Sequence, residues 1–89
     1  MAKREHLDKL RKLDGYWEAR IASAEAAYDW AAQQQTDGPC DNETWCHWME
    51  IRVALHGKIE DFHQQRASLA LRIALVEREI RNAKRGIYA

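Results

Sequence analysis

A chain of 89 residues has room for one small domain, whose core gives only marginal stability unless a disulfide, a metal or a second copy supports it. Fourteen Lys/Arg balance fourteen Asp/Glu, so the formal net charge is zero and a protein that simply coats nucleic acid is disfavoured. No apolar run approaches the roughly 18 residues that span a bilayer, and Met-Ala-Lys-Arg-Glu-His lacks the apolar core of a secretory signal. With two cysteines and no such signal, the reading is a cytoplasmic protein with free thiols and no membrane role.

The first predicted element is a helix over about residues 3–35. Stepping 3, 4, 3, 4 from Leu7 reads Leu10, Asp14, Trp17, Ile21, Ala24, Tyr28 and Ala31, a seven-residue repeat with a single charge. Thr36-Asp37-Gly38-Pro39 follows, and the turn is placed at 36–40, since Asp-Gly supplies a bend and Pro39 cannot continue a helix. Asp41 is the expected N-cap of a second helix over about 41–85, with Asn42 and Glu43 in the first turn. Lys84, Arg85 and Gly86 suit its end.

In the second helix the same stepping reads Trp45, Trp48, Arg52, Leu55, Ile59, Phe62, Arg66, Leu69, Ile73, Val76, Ile80, Ala83 and Ile87. Gly57 threatens continuity, because an interior glycine costs roughly 1 kcal/mol relative to Ala. Leu55 and Ile59 keep phase across it, which favours one helix over two. The fold class expected is all-α. Residues 1–89 form one domain, a long antiparallel helical hairpin with coiled-coil-like packing, two copies of which pair into a four-helix bundle.

Three seam positions are charged. If the bend is centred near Gly38, facing residue numbers total about 76, or about 83 one step longer. Either register brings Arg66 within one layer of Asp14, and Arg52 within one layer of Tyr28. Arg can reach across such a gap and give a carboxylate two hydrogen bonds. These four residues are read as a polar lock on register, which need not add stability because desolvation offsets the attraction. The sharper reading, that Arg52 and Arg66 serve an anionic ligand, is the less economical.

More apolar surface remains than one seam can cover. Leu71, Ala74 and Leu75 widen the Leu69–Val76 stripe, and Ile80 is expected to reach beyond the first helix in the shorter register. Gly15, Ala19, Ala22 and Ala26 make a second line of small residues. Such patches mark interfaces, first with a second copy as a dimer and then with a hetero-partner. Around the turn, Tyr28, Trp30, Trp45, Trp48 and Met49 gather among Asp29, Asp37, Asp41, Glu43 and Glu50. Trp48 and Trp45 are assigned to the seam and to closing the bend. Trp30 and Met49 lie off the stripes and are candidate surface anchors.

Catalytic and metal chemistry are not indicated. Cys40, Cys46 and His47 lack a fourth ligand at structural-zinc spacing. Glu60 and His63 have the Glu-x-x-His spacing of di-iron bundles without the remaining carboxylates. No phosphate loop, CxxC or nucleophile–base pair is present, so neither a cofactor nor enzyme activity is expected. Residues 1–14 carry five Lys/Arg against three acids and residues 66–89 six against two, whereas 15–65 carry three against nine. A folded hairpin therefore has a basic open end and an acidic bend. Arg78, Arg81 and Arg85, with Lys9 and Lys12, are the residues of an alternative, nucleic-acid-binding reading, although Glu77 and Glu79 interrupt them. The primary expectation is a small adaptor, inhibitor or regulator that binds a partner protein of unknown identity through Trp30, Trp45, Trp48, Met49, Leu71, Leu75 and Ile80. Phages and mobile elements often encode such chains, but no residue demonstrates that origin.

Overall fold

The computed structural model describes residues 2–84, which form two helices, α1 (Ala2–Asp37) and α2 (Asn42–Lys84), packed antiparallel along their length. The resulting rod measures 67 × 18 × 14 Å. No strand occurs among the described residues, and the chain is an all-α hairpin. None of its helices is long and apolar enough to cross a membrane, among the described residues.

The seven-residue period decides which side chains face inward. In α1, from Ala2 to Ala31, the only residues that are buried or half-buried are the eight seam positions, Leu7 to Ala31. In α2 the seam is covered from Trp48 through Ile80, with Leu69 buried. Trp45 departs from expectation: it is 48% exposed and does not join the seam. Its level in the rod falls where α1 is ending, and the residue of α1 at that height is Gln35, whose amide Nε2 donates to the Trp45 carbonyl at 3.4 Å. Ala83 is also exposed, at the far end, while Ile87 lies outside the described residues.

Facing residues carry numbers totalling 80 (Asp14 with Arg66, Tyr28 with Arg52) or 79 (Trp17 with Phe62). The register lies between the two that the sequence allows. It follows from the short connection, Gly38 to Asp41. Helix α1 runs two residues past 35 because Thr36 Oγ1 donates to the Ala32 carbonyl at 3.1 Å and Gln33 Nε2 bonds the Asp37 carboxylate. Gly38 N continues the pattern to the Gln34 carbonyl at 2.8 Å. A Cβ there would sit 2.6 Å from that oxygen, so the close approach requires glycine.

Helix α2 starts on Asp41, as its N-cap chemistry dictates. Thr44 N donates to Asp41 Oδ1 at 2.7 Å and Thr44 Oγ1 to Oδ2 at 2.8 Å. These bonds, the backbone one foremost, hold the Asp41 carboxyl below the ordinary carboxylate range. The helix then runs unbroken through Gly57. Burial on either side, at Leu55 and Ile59, offsets the glycine's entropy cost. Only Leu7, Leu10, Ile21, Ala31 and Leu69 are buried outright among the described residues, so the hairpin has a narrow core.

Candidate functional site

Two seam layers are polar. At the first, Arg66 Nε donates to Asp14 Oδ1 at 2.9 Å and Nη2 to Oδ2 at 3.3 Å, a two-pronged pair. Glu18 stands 3.5 Å from the same Nη2. The hydrogen bonds it donates to Asp14 raise the Arg66 pKa above its ordinary value. With side-chain exposures of 36% and 30%, the pair is wetted at its edges. At the second layer, Arg52 Nη1 donates to Gln35 Oε1 at 2.5 Å and Nη2 to the Tyr28 hydroxyl at 3.0 Å. Its guanidinium carbon lies 5.0 Å from the Tyr28 ring centroid. Arg52 Nε is buried without a partner. Both arginines thus bond across the seam to side chains of α1.

The bend presents aromatic surface. Trp30 is 58% exposed and stands edge-on to the half-buried Trp48, with centroids 5.2 Å apart and planes at 84°. His47 also packs edge-on to Trp48, at 5.2 Å between centroids. Trp45 borders a shallow hollow of about 290 Å³ formed with Gln35, Gly38, Pro39, Cys40, Asp41 and Asn42. Met49 is half-buried on the flank of α2. Trp30 and Trp45 are therefore the accessible rings of the bend, while Trp48 is the packed ring that steadies Trp30.

Further along, Leu71 is 69% and Leu75 59% exposed. Ile80 is half-buried rather than projecting free past α1, with Arg4 and Leu7 of the first helix beside it. It lines an open hollow of about 390 Å³ with Arg4, Leu7, Asp8, Arg11, Glu77 and Arg81. Arg11 is tied to Glu77 at 3.3 Å and Lys3 to Glu79 at 3.6 Å, so the two acids that interrupt the basic run neutralise part of it. Lys9, Lys12, Arg78 and Arg81 are exposed. Arg85 lies outside the described residues.

Some contributors escape a stripe-based reading. Arg20 Nη1 donates to the Tyr16 hydroxyl at 2.8 Å, and its guanidinium covers the Phe62 ring at 5.1 Å. Phe62 in turn contacts Trp17 at 5.6 Å. The i, i+4 spacing of Tyr16 and Arg20 was the available signal. Val53, 64% exposed, and Ile51, half-buried, also fall outside the seam.

Cys40 and Cys46 are exposed and unpaired, with Cys46 Sγ donating to Asn42 Oδ1 at 3.7 Å. Among the described residues no three His, Cys, Asp or Glu side chains gather as a metal ion would require. His56 instead pairs with Glu60 at 3.1 Å, and His63 stands 3.9 Å from Glu25. Compared with known proteins, the chain matches no family model, no curated protein and no solved structure.

Proposed function

We propose that this hairpin is a non-catalytic protein-binding module, a small adaptor, inhibitor or regulator that engages a partner protein with its aromatic bend. The observation that carries the reading is the pair of exposed indoles, Trp30 and Trp45, on the two helices that meet there. Tryptophan recurs among the residues that dominate binding energy. The edge contact with Trp48 holds the Trp30 ring in place, so less side-chain entropy is lost on docking. Asp41 lies beside Trp45, and Asp37, Glu43 and Glu50 are near these rings in the sequence, so the bend carries negative charge that favours a partner surface apolar at its centre and basic at its rim. Two hairpins pairing into a four-helix assembly belong to the same proposal, since the core of one copy is narrow. A reducing cytoplasm suits the two free thiols.

A second reading has its own observation. Arg4, Arg11 and Arg81 line one hollow at the open end, where a phosphate backbone could lie. The pairing of Arg11 with Glu77 reduces what they offer, which ranks nucleic acid second.

One experiment separates the two. Tagged full-length protein, its Trp30→Ala/Trp45→Ala variant and its Arg78→Ala/Arg81→Ala variant are used as bait, and each retained species is then purified and titrated. The bend reading expects a protein ligand lost with the tryptophans and kept with the arginines. A nucleic-acid ligand lost with the arginines, with affinity falling steeply as salt rises, would replace it.

A further inference from the structure

Of the seven large hydrophobic side chains that stand exposed among the described residues, the three most exposed share one helix: Leu71 at 69%, Val53 at 64% and Leu75 at 59%. All three lie on the face of α2 turned away from α1. The line along that face farthest from the seam recurs every seven residues: Glu50, Gly57, Gln64, Leu71 and Arg78, every one exposed. This order is complementary to itself when reversed about Gln64. Reversal sets Glu50 against Arg78 and Gly57 against Leu71, and Gln64 meets its own copy. Each flanking row also meets its own copy, which sets Val53 against Ala74 on one side and Leu75 against Ala54 on the other, a large side chain opposite a small one each time.

We infer that this face of α2 is where two copies of the chain associate, antiparallel, about a two-fold axis passing at Gln64. The inference rests on the pairing proposed above and adds its surface, its sense and its contacts; it is independent of the aromatic bend.

Three physical arguments select a second copy as the occupant. First, charge: among the described residues Glu50 and Arg78 have no ion-pair partner, and the two-fold supplies each with the other twice. The same operation lays the acidic bend of one hairpin beside the basic open end of its partner. A parallel arrangement would place like ends together, so the antiparallel sense is favoured at long range as well. Second, shape: nothing lies within 4 Å of where a Cβ would stand on Gly57, leaving open room for the large Leu71 side chain of the other copy. A two-fold contact must be self-complementary in this way, residue by residue. Third, extent: Glu50 to Arg78 spans about 42 Å of helix at 1.5 Å per residue, long enough for a continuous helix–helix seam. The four helices then form a row, with the two α2 helices in the middle and the two α1 helices outside.

The test uses the full chain with Cys40→Ser and Cys46→Ser. Adding Gln64→Cys creates a thiol on the axis, and adding Ser23→Cys instead creates an exposed one on α1 as control. Under mild oxidation or a short bis-maleimide, the Gln64→Cys protein is expected to form covalent dimer in high yield and the control little. In sizing with light scattering, Glu50→Arg is expected to weaken the dimer by about tenfold or more, since it sets two arginines together at both ends of the contact. Restoring complementarity with Glu50→Arg/Arg78→Glu is expected to return the dimer to near wild-type strength. A dimer that neither cross-links through Gln64→Cys nor responds to the charge reversal would overturn this face while leaving pairing intact. A wild-type monomer at every concentration would overturn both.

Discussion

Arg52 and Arg66 occupy equivalent seam positions fourteen residues apart, yet the hairpin satisfies them by different chemistry. Arg66 meets charge: Asp14 takes it with two hydrogen bonds, and Glu18 stands at 3.5 Å. Arg52 meets neutral groups, the Gln35 amide oxygen and the Tyr28 hydroxyl, with the Tyr28 ring beneath it and Nε left unbonded. The seam period marks where a polar residue must find company on the opposite helix. It does not say whether that company carries charge. Removing a partner should therefore matter more at the first layer than at the second, because an ion left without its counter-charge is the costlier remainder.

The yardstick for both layers is Leu69, buried on the same face of α2 and one step beyond Arg66. Leu69→Ala is expected to cost about 2–3 kcal/mol in urea unfolding, the low end for a core leucine because a two-helix contact can partly close the gap. A loss below about 1 kcal/mol would mean the seam is too open to serve as a scale.

Asp14→Leu comes next. It strips Arg66 of both short bonds and leaves Glu18, an exposed and weaker substitute. Stability is expected to fall, by less than Leu69→Ala. Combining it with Arg66→Leu should recover most of the loss, because the pair offsets its own desolvation, and should leave the register less sharply defined. Thermal melts report the first effect, and spin-label distances between the helices report the second. A double variant with unchanged register would show that the pair does not lock anything.

Arg52→Met tests the other side of the comparison. Methionine fills the same volume, abolishes the buried unbonded Nε and leaves Tyr28 and Gln35 within reach of water. The change in stability is expected to stay within about 1 kcal/mol of zero. A penalty as large as that of Asp14→Leu would erase the distinction between the layers.

How far the sequence carried this picture can be judged from the same residues. The hairpin, the inward faces and the meeting of Arg66 with Asp14 and Arg52 with Tyr28 all follow from one repeat and one turn, because seven-residue spacing and chain reversal together constrain which heights coincide. Two limits were geometric. The turn allowed registers totalling 76 or 83, and only the packed connection from Gly38 to Asp41 selects 80. Periodicity also assigned Trp45 to the seam, since it cannot sense that α1 is ending beside that turn of α2. Among the bend residues, Trp30 was marked by its position off the stripe and is exposed. The outward row from Glu50 to Arg78 was written in the sequence too, but its pairing rule emerges only once α2 is one unbroken helix with that face turned outward.

The smallest effect expected is at Asp41, whose layer is not in the seam at all. Its carboxylate caps α2 through Thr44 and titrates below the ordinary range. A depressed folded value means the stabilisation is complete above the unfolded pKa and disappears as pH falls through the folded one. Asp41→Asn keeps a capping oxygen for Thr44 N without the titrating charge. The wild type is therefore expected to be slightly the more stable at pH 7, and the difference should shrink as the pH falls below the ordinary aspartate range. Paired thermal melts of the two proteins across that range measure it. Arg66 supplies the contrast: its pKa is raised, so the sign is reversed and that contribution is lost as pH climbs through the folded value, at strongly alkaline pH. A wild-type advantage that stays constant down the acid limb would show that the cap works through its shape and hydrogen bonds alone, with no share from charge at the start of α2.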